Sequence, residues 1–233
     1  MNIYFLVEGE AELGVYPAWI DYLFESKLKR SLAYDIVSEN EYFIFNGGGI
    51  GKMVHHSIKN AIQEIAAHPV FDWFIIIVDT DHETVNDRLT LIETAFTHPT
   101  IPELPANCNR KIIIQSRCFE IWLCGNMEAF ALAQISTNKN VKRFITFYDL
   151  TVNNPELMLK DPDKRFEQLT LSKFHAIYLH HLLLPKKYNK GSAHVLINVS
   201  YLKKLQERLL QTPTHLITFN EMLSFFQILK LQL

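Results

Sequence analysis

Trp73-Phe74-Ile75-Ile76-Ile77-Val78-Asp79-Thr80-Asp81 decides how the rest of this chain is read. An unbroken apolar run that ends in β-branched residues predicts a strand covered on both faces, and such strands belong to parallel sheets. Two acids follow where the run stops. Ile3 to Val7 repeats the pattern, with Glu8-Gly9-Glu10-Ala11-Glu12 directly behind it. Tyr42 to Phe45 and Lys111 to Gln115 are two further strand candidates. Helical spacing fills the intervals. Ala11 to Arg30 carries Leu13, Tyr16, Ile20 and Leu23 or Phe24 on one side, although Pro17 argues against one unbroken helix. A second helical run follows Asn46-Gly47-Gly48-Gly49-Ile50-Gly51-Lys52 as far as Ala67, and a third covers Glu83 to Phe96. This alternation predicts an α/β fold, a mostly parallel sheet flanked by helices. Ligands of such sheets gather at the carboxyl ends of the strands, where Glu8, the glycine loop, Asp79 and Ser116 all fall.

Beyond Cys118 the pattern turns helical, with segments expected at 118–134, 140–147, 163–182, 197–211 and 219–231. In the fourth, Tyr201, Leu202, Leu205 and Leu209 form an apolar side, and Lys203, Lys204 and Arg208 fall on the other. The expected organisation is a core over 1–125 and a helical C-terminal part over 126–233, separate or packed as one domain. Hydrophobic residues make up 48% of the 233, enough for a buried core, so disorder is excluded. The net charge of -2 gives no global basic signal, so nucleic-acid binding would need a local basic strip or a metal ion. Cys108, Cys118 and Cys124 form no even framework and no CxxC pair, as expected of reduced thiols in the cytoplasm. Met1 to Val7 lacks the basic start of a secretory leader, and no long charge-free apolar window predicts a membrane span.

Chemistry concentrates in the acids. On an extended backbone residues i and i+2 point the same way, so Asp79 and Asp81 are expected to face one site. Gathered carboxylates raise one another's pKa unless a cation neutralises them, and hard oxygen donors of this kind suit Mg²⁺ or Mn²⁺. A plainer reading stays open: acids favour helix N-termini, and Asp and Thr are common turn residues. The glycine loop lacks the spacing of a P-loop, with Met53 where the hydroxyl would stand, so ATP binding is not expected. It is either a tight turn or a strand-to-helix loop whose Gly48 and Gly49 amides approach a phosphate. Lys186-Lys187-Tyr188-Asn189-Lys190 is the densest basic cluster and fits either a phosphate grip or a solvated loop. The ten histidines and three cysteines lack zinc spacing, and Cys118 has no evident histidine partner.

VEGExE behind the first strand, a glycine loop behind the second and DxD behind the third resemble the TOPRIM domain of topoisomerases, primases and OLD-family nucleases. Ser116-Arg117-Cys118-Phe119-Glu120-Ile121-Trp122-Leu123 is similar to the S-x-P-x-F-E-x-W-L segment of RloB-like TOPRIM proteins, and Tyr188-Asn189-Lys190-Gly191 to their later Y-x-K element. The resemblance spans about residues 3–125 plus that element, with Arg117 in place of the proline and Ala11 in place of the usual threonine. It implies a metal-dependent nuclease of bacterial phage defence acting on DNA, tRNA or other RNA. Asp79, Asp81, Glu8 and Glu12 would be metal ligands, and Glu8 is also the candidate general acid/base. Glu120 would be a further catalytic acid, unless it only caps its helix behind Ser116. Lys190, Lys187, Gly48 and Gly49 would contact substrate phosphate. The alternative is an effector subunit that acts only beside an ATPase partner. A homo-oligomer fits either.

Overall fold

Five strands make one all-parallel sheet in the computed structural model, which describes residues 1–186 and 195–233. They are β1 (Ile3–Val7), β2 (Lys29–Arg30), β3 (Glu41–Asn46), β4 (Trp73–Asp79) and β5 (Asn109–Gln115), ordered β2-β3-β1-β4-β5. The expected α/β class is therefore the observed one. Helix α1 (Glu10–Leu23) follows β1. Helices α2 (Ile50–Lys52) and α3 (Ile58–Ala67) follow β3, joined by a π-helical turn over Met53–Ser57. Helix α4 (Val85–Phe96) links β4 to β5. Pro17 sits inside α1 without ending it. The two-residue β2 was invisible to periodicity, being too short to show any.

The chain divides into two compact units, Met1–Gln115 with Glu221–Leu233, and Ser116–Asn220. In the first, β1 and β4 are buried along nearly their whole length, as a sheet covered on both faces requires. One face carries Tyr4, Leu6, Phe74, Ile76 and Val78 against Ile58, Ala61, Ile62 and Ile65 of α3 and Ile92 of α4. From the other, Phe5 meets Phe226 edge-on at 5.9 Å, and Phe226 also contacts Phe24 behind α1 at 5.6 Å. Phe226 belongs to α10 (Ile217–Lys230), so the chain's end helps cover the sheet.

The second unit is helical: α5 (Phe119–Cys124), α6 (Met127–Gln134), α7 (Lys139–Phe147), α8 (Leu171–Leu183) and α9 (Val199–Gln211). The boundary thus falls ten residues before the expected one, because α5 packs on α8 rather than continuing the sheet. The single helix expected over 118–134 breaks at Gly125-Asn126, where Asn126 Oδ1 caps α6 by accepting the Ala129 N–H. The helix expected from 163 begins at 171 behind the Thr170 cap. Arg208, expected among the exposed basic residues of α9, is buried instead. Its guanidinium donates to the carbonyls of Leu150 and Asn153 and to His215 Nδ1. Burial holds its pKa down at about 10. Glu156, also buried, accepts from the backbone N–H groups of Ile217 and Thr218 and from the Trp122 indole. Among the described residues no helix is long and apolar enough to cross a membrane.

Phe226 fills space between Phe5 and Phe24, so Phe226→Ala is expected to lower the unfolding free energy by about 3–5 kcal/mol, measured by urea denaturation. An unchanged midpoint and slope would show that α10 does not complete this core.

Candidate functional site

Strands β1 and β4 are neighbours, although α1, two strands and α3 separate them along the chain. From β1 the chain runs to β3 on one side, and from β3 it returns to β4 on the other. Order reverses there, and the crevice beyond the strand ends at such a reversal is where open α/β sheets hold ligands. Val7 pairs with Ile77, so Glu8 leaves β1 level with Val78. Its Oε2 accepts the Asp79 backbone N–H at 2.9 Å. Burial pushes the Glu8 carboxyl above the usual glutamate range, and the Asp81 charge adds to the rise. The Asp79 N–H, the Arg88 guanidinium and the Ile50 N–H act against it without cancelling it.

The glycine loop frames Glu8. Gly47 N–H donates to the Val7 carbonyl at 2.7 Å, Gly49 N–H to the Glu8 carbonyl at 2.9 Å, and Gly48 N–H to Asn46 Oδ1 at 2.8 Å. Gly48 and Gly49 adopt φ of 77° and 88°, which side-chain-bearing residues rarely do. With those three amides engaged inside the chain, the expected approach of Gly48 and Gly49 amides to phosphate has no free donor. Their role here is to hold the acid in place.

Asp79 ends β4, but Asp81 lies beyond it in a turn with φ 51°. The extended-backbone argument that aligned the two side chains therefore does not apply. Asp81 comes toward Glu8 and lies 4.0 Å from Arg88. Asp79 comes toward Tyr16 of α1, whose phenol also feels the buried Glu12. Burial first, then Glu12 and Asp79, hold that phenol well above the tyrosine range. Gln115, opposite Asp79 in the β4–β5 register, donates from Nε2 to the Tyr16 hydroxyl at 3.1 Å. The acids thus act on different neighbours: Asp81 on Glu8, and Asp79 and Glu12 on the Tyr16 phenol, while the Asp79 amide is bonded to Glu8. Among the described residues no three His, Cys, Asp or Glu side chains are placed together to hold a metal ion.

Arg88 is the residue that sequence reading missed. It is 2% exposed, donates to Glu83 at 2.9 Å and to the Thr80 carbonyl at 3.2 Å, and faces Asp81. It is a resident counter-charge for acids expected to need a metal. One guanidinium answers Glu8, Asp81 and Glu83, so negative charge stays in excess. That surplus, with oxygen donors throughout, is the chemistry Mg²⁺ or Mn²⁺ takes. Only its spacing to DxD marked Arg88, a helix position that looks like any solvated arginine.

The remaining candidates are spread more widely. Lys187 and Lys190 lie outside the described residues. Glu120 stands half-buried in the first turn of α5, in the second unit. His82 is exposed. Cys118 does have a histidine partner, 57 residues away: His175 Nε2 donates to the Met158 carbonyl at 3.1 Å, which leaves Nδ1 to accept the Cys118 S–H at 3.3 Å. Both side chains are fully buried, so the pair is a packed neutral contact rather than an exposed nucleophile.

No family model matches the chain, and neither the curated proteins nor the solved structures contain a match to it.

Two outcomes are expected. Burial lowers the His175 pKa to about 4, so the folded state resists a proton that the unfolded chain accepts near 6.5. Stability from this group is complete above about pH 6.5 and falls by roughly 3 kcal/mol as pH drops toward 4. His175→Gln should flatten that part of a urea-midpoint profile, and an unchanged slope would contradict it. The Glu8 shift has the opposite sign: the folded state holds its proton more tightly, so stability declines as pH rises through the window above the normal glutamate value. Glu8→Gln keeps an acceptor for the Asp79 N–H and should be more stable than the parent at pH 7, by thermal melting. A less stable variant would show that the charge is a structural asset.

Proposed function

We propose that this chain is a Mg²⁺- or Mn²⁺-dependent phosphodiesterase of TOPRIM type that cuts DNA or RNA, in phage defence as the resemblance of its motifs implies. The observation that carries the proposal is the contact of the Glu8 carboxylate with the Asp79 backbone, 71 residues away, at the reversal point of the sheet, with the Asp81 charge near enough to act on Glu8. Acids that merely cap helices have no reason to converge there, and carboxyls raised by burial and a neighbouring acid cluster at functional sites.

Asp79, Asp81 and Glu12 are the proposed carboxylate donors, although among the described residues they are not gathered around one point; a bound cation would activate water and stabilise the leaving oxygen. Glu8 carries the proton. Its raised pKa brings it closer to neutrality, where one carboxyl both takes and returns a proton efficiently. Arg88 keeps Asp81 in place and limits the rise at Glu8. Lys190 and Lys187 remain the proposed grip on substrate phosphate. The second reading, an effector working beside an ATPase partner, draws on the glycine loop: its amides are engaged within the chain, so an ATP-driven step would need another protein.

Plasmid, single-stranded DNA and total tRNA should be screened with Mg²⁺ and Mn²⁺. Cleavage of at least one is expected, with Asp79→Asn slower by about 100-fold. A variant as fast as the parent on every cleaved substrate sinks the assignment. Activity that appears only with a co-purifying ATPase selects the second reading.

A further inference from the structure

Gln115 closes β5 and stands opposite Asp79 in the parallel register, so the two side chains project from the same face of the sheet. It is fully buried. Its Nε2 is bonded to the Tyr16 hydroxyl, but its Oε1 is buried with no hydrogen-bond partner. Buried carbonyl oxygens nearly always find a donor, so one that lacks it calls for a reason. The surroundings supply one. Asp79 is its cross-strand neighbour, and Tyr16, to which this amide is tied, lies in the field of Glu12 and Asp79.

We propose that Gln115 Oε1 is a neutral oxygen ligand for the divalent cation that Asp79 and Glu12 attract, and that Tyr16 is the positioning residue that orients it. The inference rests on the metal-dependent reading above and extends it to a residue that a search for acids passes over. Side-chain carbonyls are ordinary partners of carboxylates around Mg²⁺ and Mn²⁺. A neutral donor completes coordination without adding to the repulsion between the acids. The Nε2 bond to Tyr16 matters because an amide turned end for end would present N–H groups, which repel a cation. In this structure the Nε2 end is the one bonded to the phenol, which leaves the oxygen as the end that faces away from it.

The test uses the full chain and Mn²⁺ alone, with free Mn²⁺ counted by its electron paramagnetic resonance signal, so it needs no substrate and no turnover. Gln115→Leu is expected to weaken Mn²⁺ binding by about tenfold, and Gln115→Glu to bind at least as tightly as the parent. Tyr16→Phe should weaken binding in the parent but not in the Gln115→Leu background, whereas a merely structural role would give additive losses. A folded Gln115→Leu chain with parental Mn²⁺ affinity overturns the proposal. If that variant does not fold, Gln115→Glu decides alone, and weaker binding than the parent overturns the proposal. A parent that binds Mn²⁺ and loses it in Asp79→Asn but not in Gln115→Leu sinks only this inference. A parent that binds no Mn²⁺ sinks the metal-dependent reading with it.

Discussion

Two parallel strands stop almost level with one another, and the acid that leaves the first takes its hydrogen bond from the backbone of the second. Everything else about the site depends on that contact. A strand end offers backbone N–H groups that no further strand residue can satisfy, and a carboxylate is a strong acceptor for one of them. The glycine loop clamps the same residue from the other side, through the Glu8 carbonyl. Glu8 is thereby fixed at both its backbone and its side chain, without needing a regular helix or strand to hold it.

Fixing an acid in this way brings others with it, since the two turns behind β1 and β4 are both acidic. Arg88 moderates the crowding with its positive charge. It does not remove the surplus, and the Glu8 carboxyl is still pushed upward. The core that carries this destabilised charge is the β1–β4 pair, buried along nearly its whole length.

The second unit follows a different logic. Arg208 and Glu156 are buried charges that, among the described residues, meet dipoles instead of an opposite charge. Arg208 gathers carbonyls from loops, and Glu156 caps the first N–H groups of α10 while holding the Trp122 indole. Such centres fix the arrangement of short helices that a purely apolar core would leave loosely specified.

By itself, the sequence determined the alternation of strand and helix, the parallel sheet and the acids at the strand ends, because burial on both faces and turn chemistry leave a local imprint. It also placed α4, α7, α9 and α10 within about two residues at each end, but not the break between α5 and α6 or the start of α8. Tertiary structure alone decided which strands lie side by side, and hence that Glu8 takes its hydrogen bond from the Asp79 backbone while Asp81, on its left-handed backbone, lies near Glu8 and Arg88. It also decided that Arg88 and Arg208 are buried, that Cys118 rests on His175, and that Gln115 lost its donor. The reason is one of range. Periodicity reports what a residue does relative to its chain neighbours, whereas a charge is satisfied or left wanting by groups tens of residues away, and no local pattern records them.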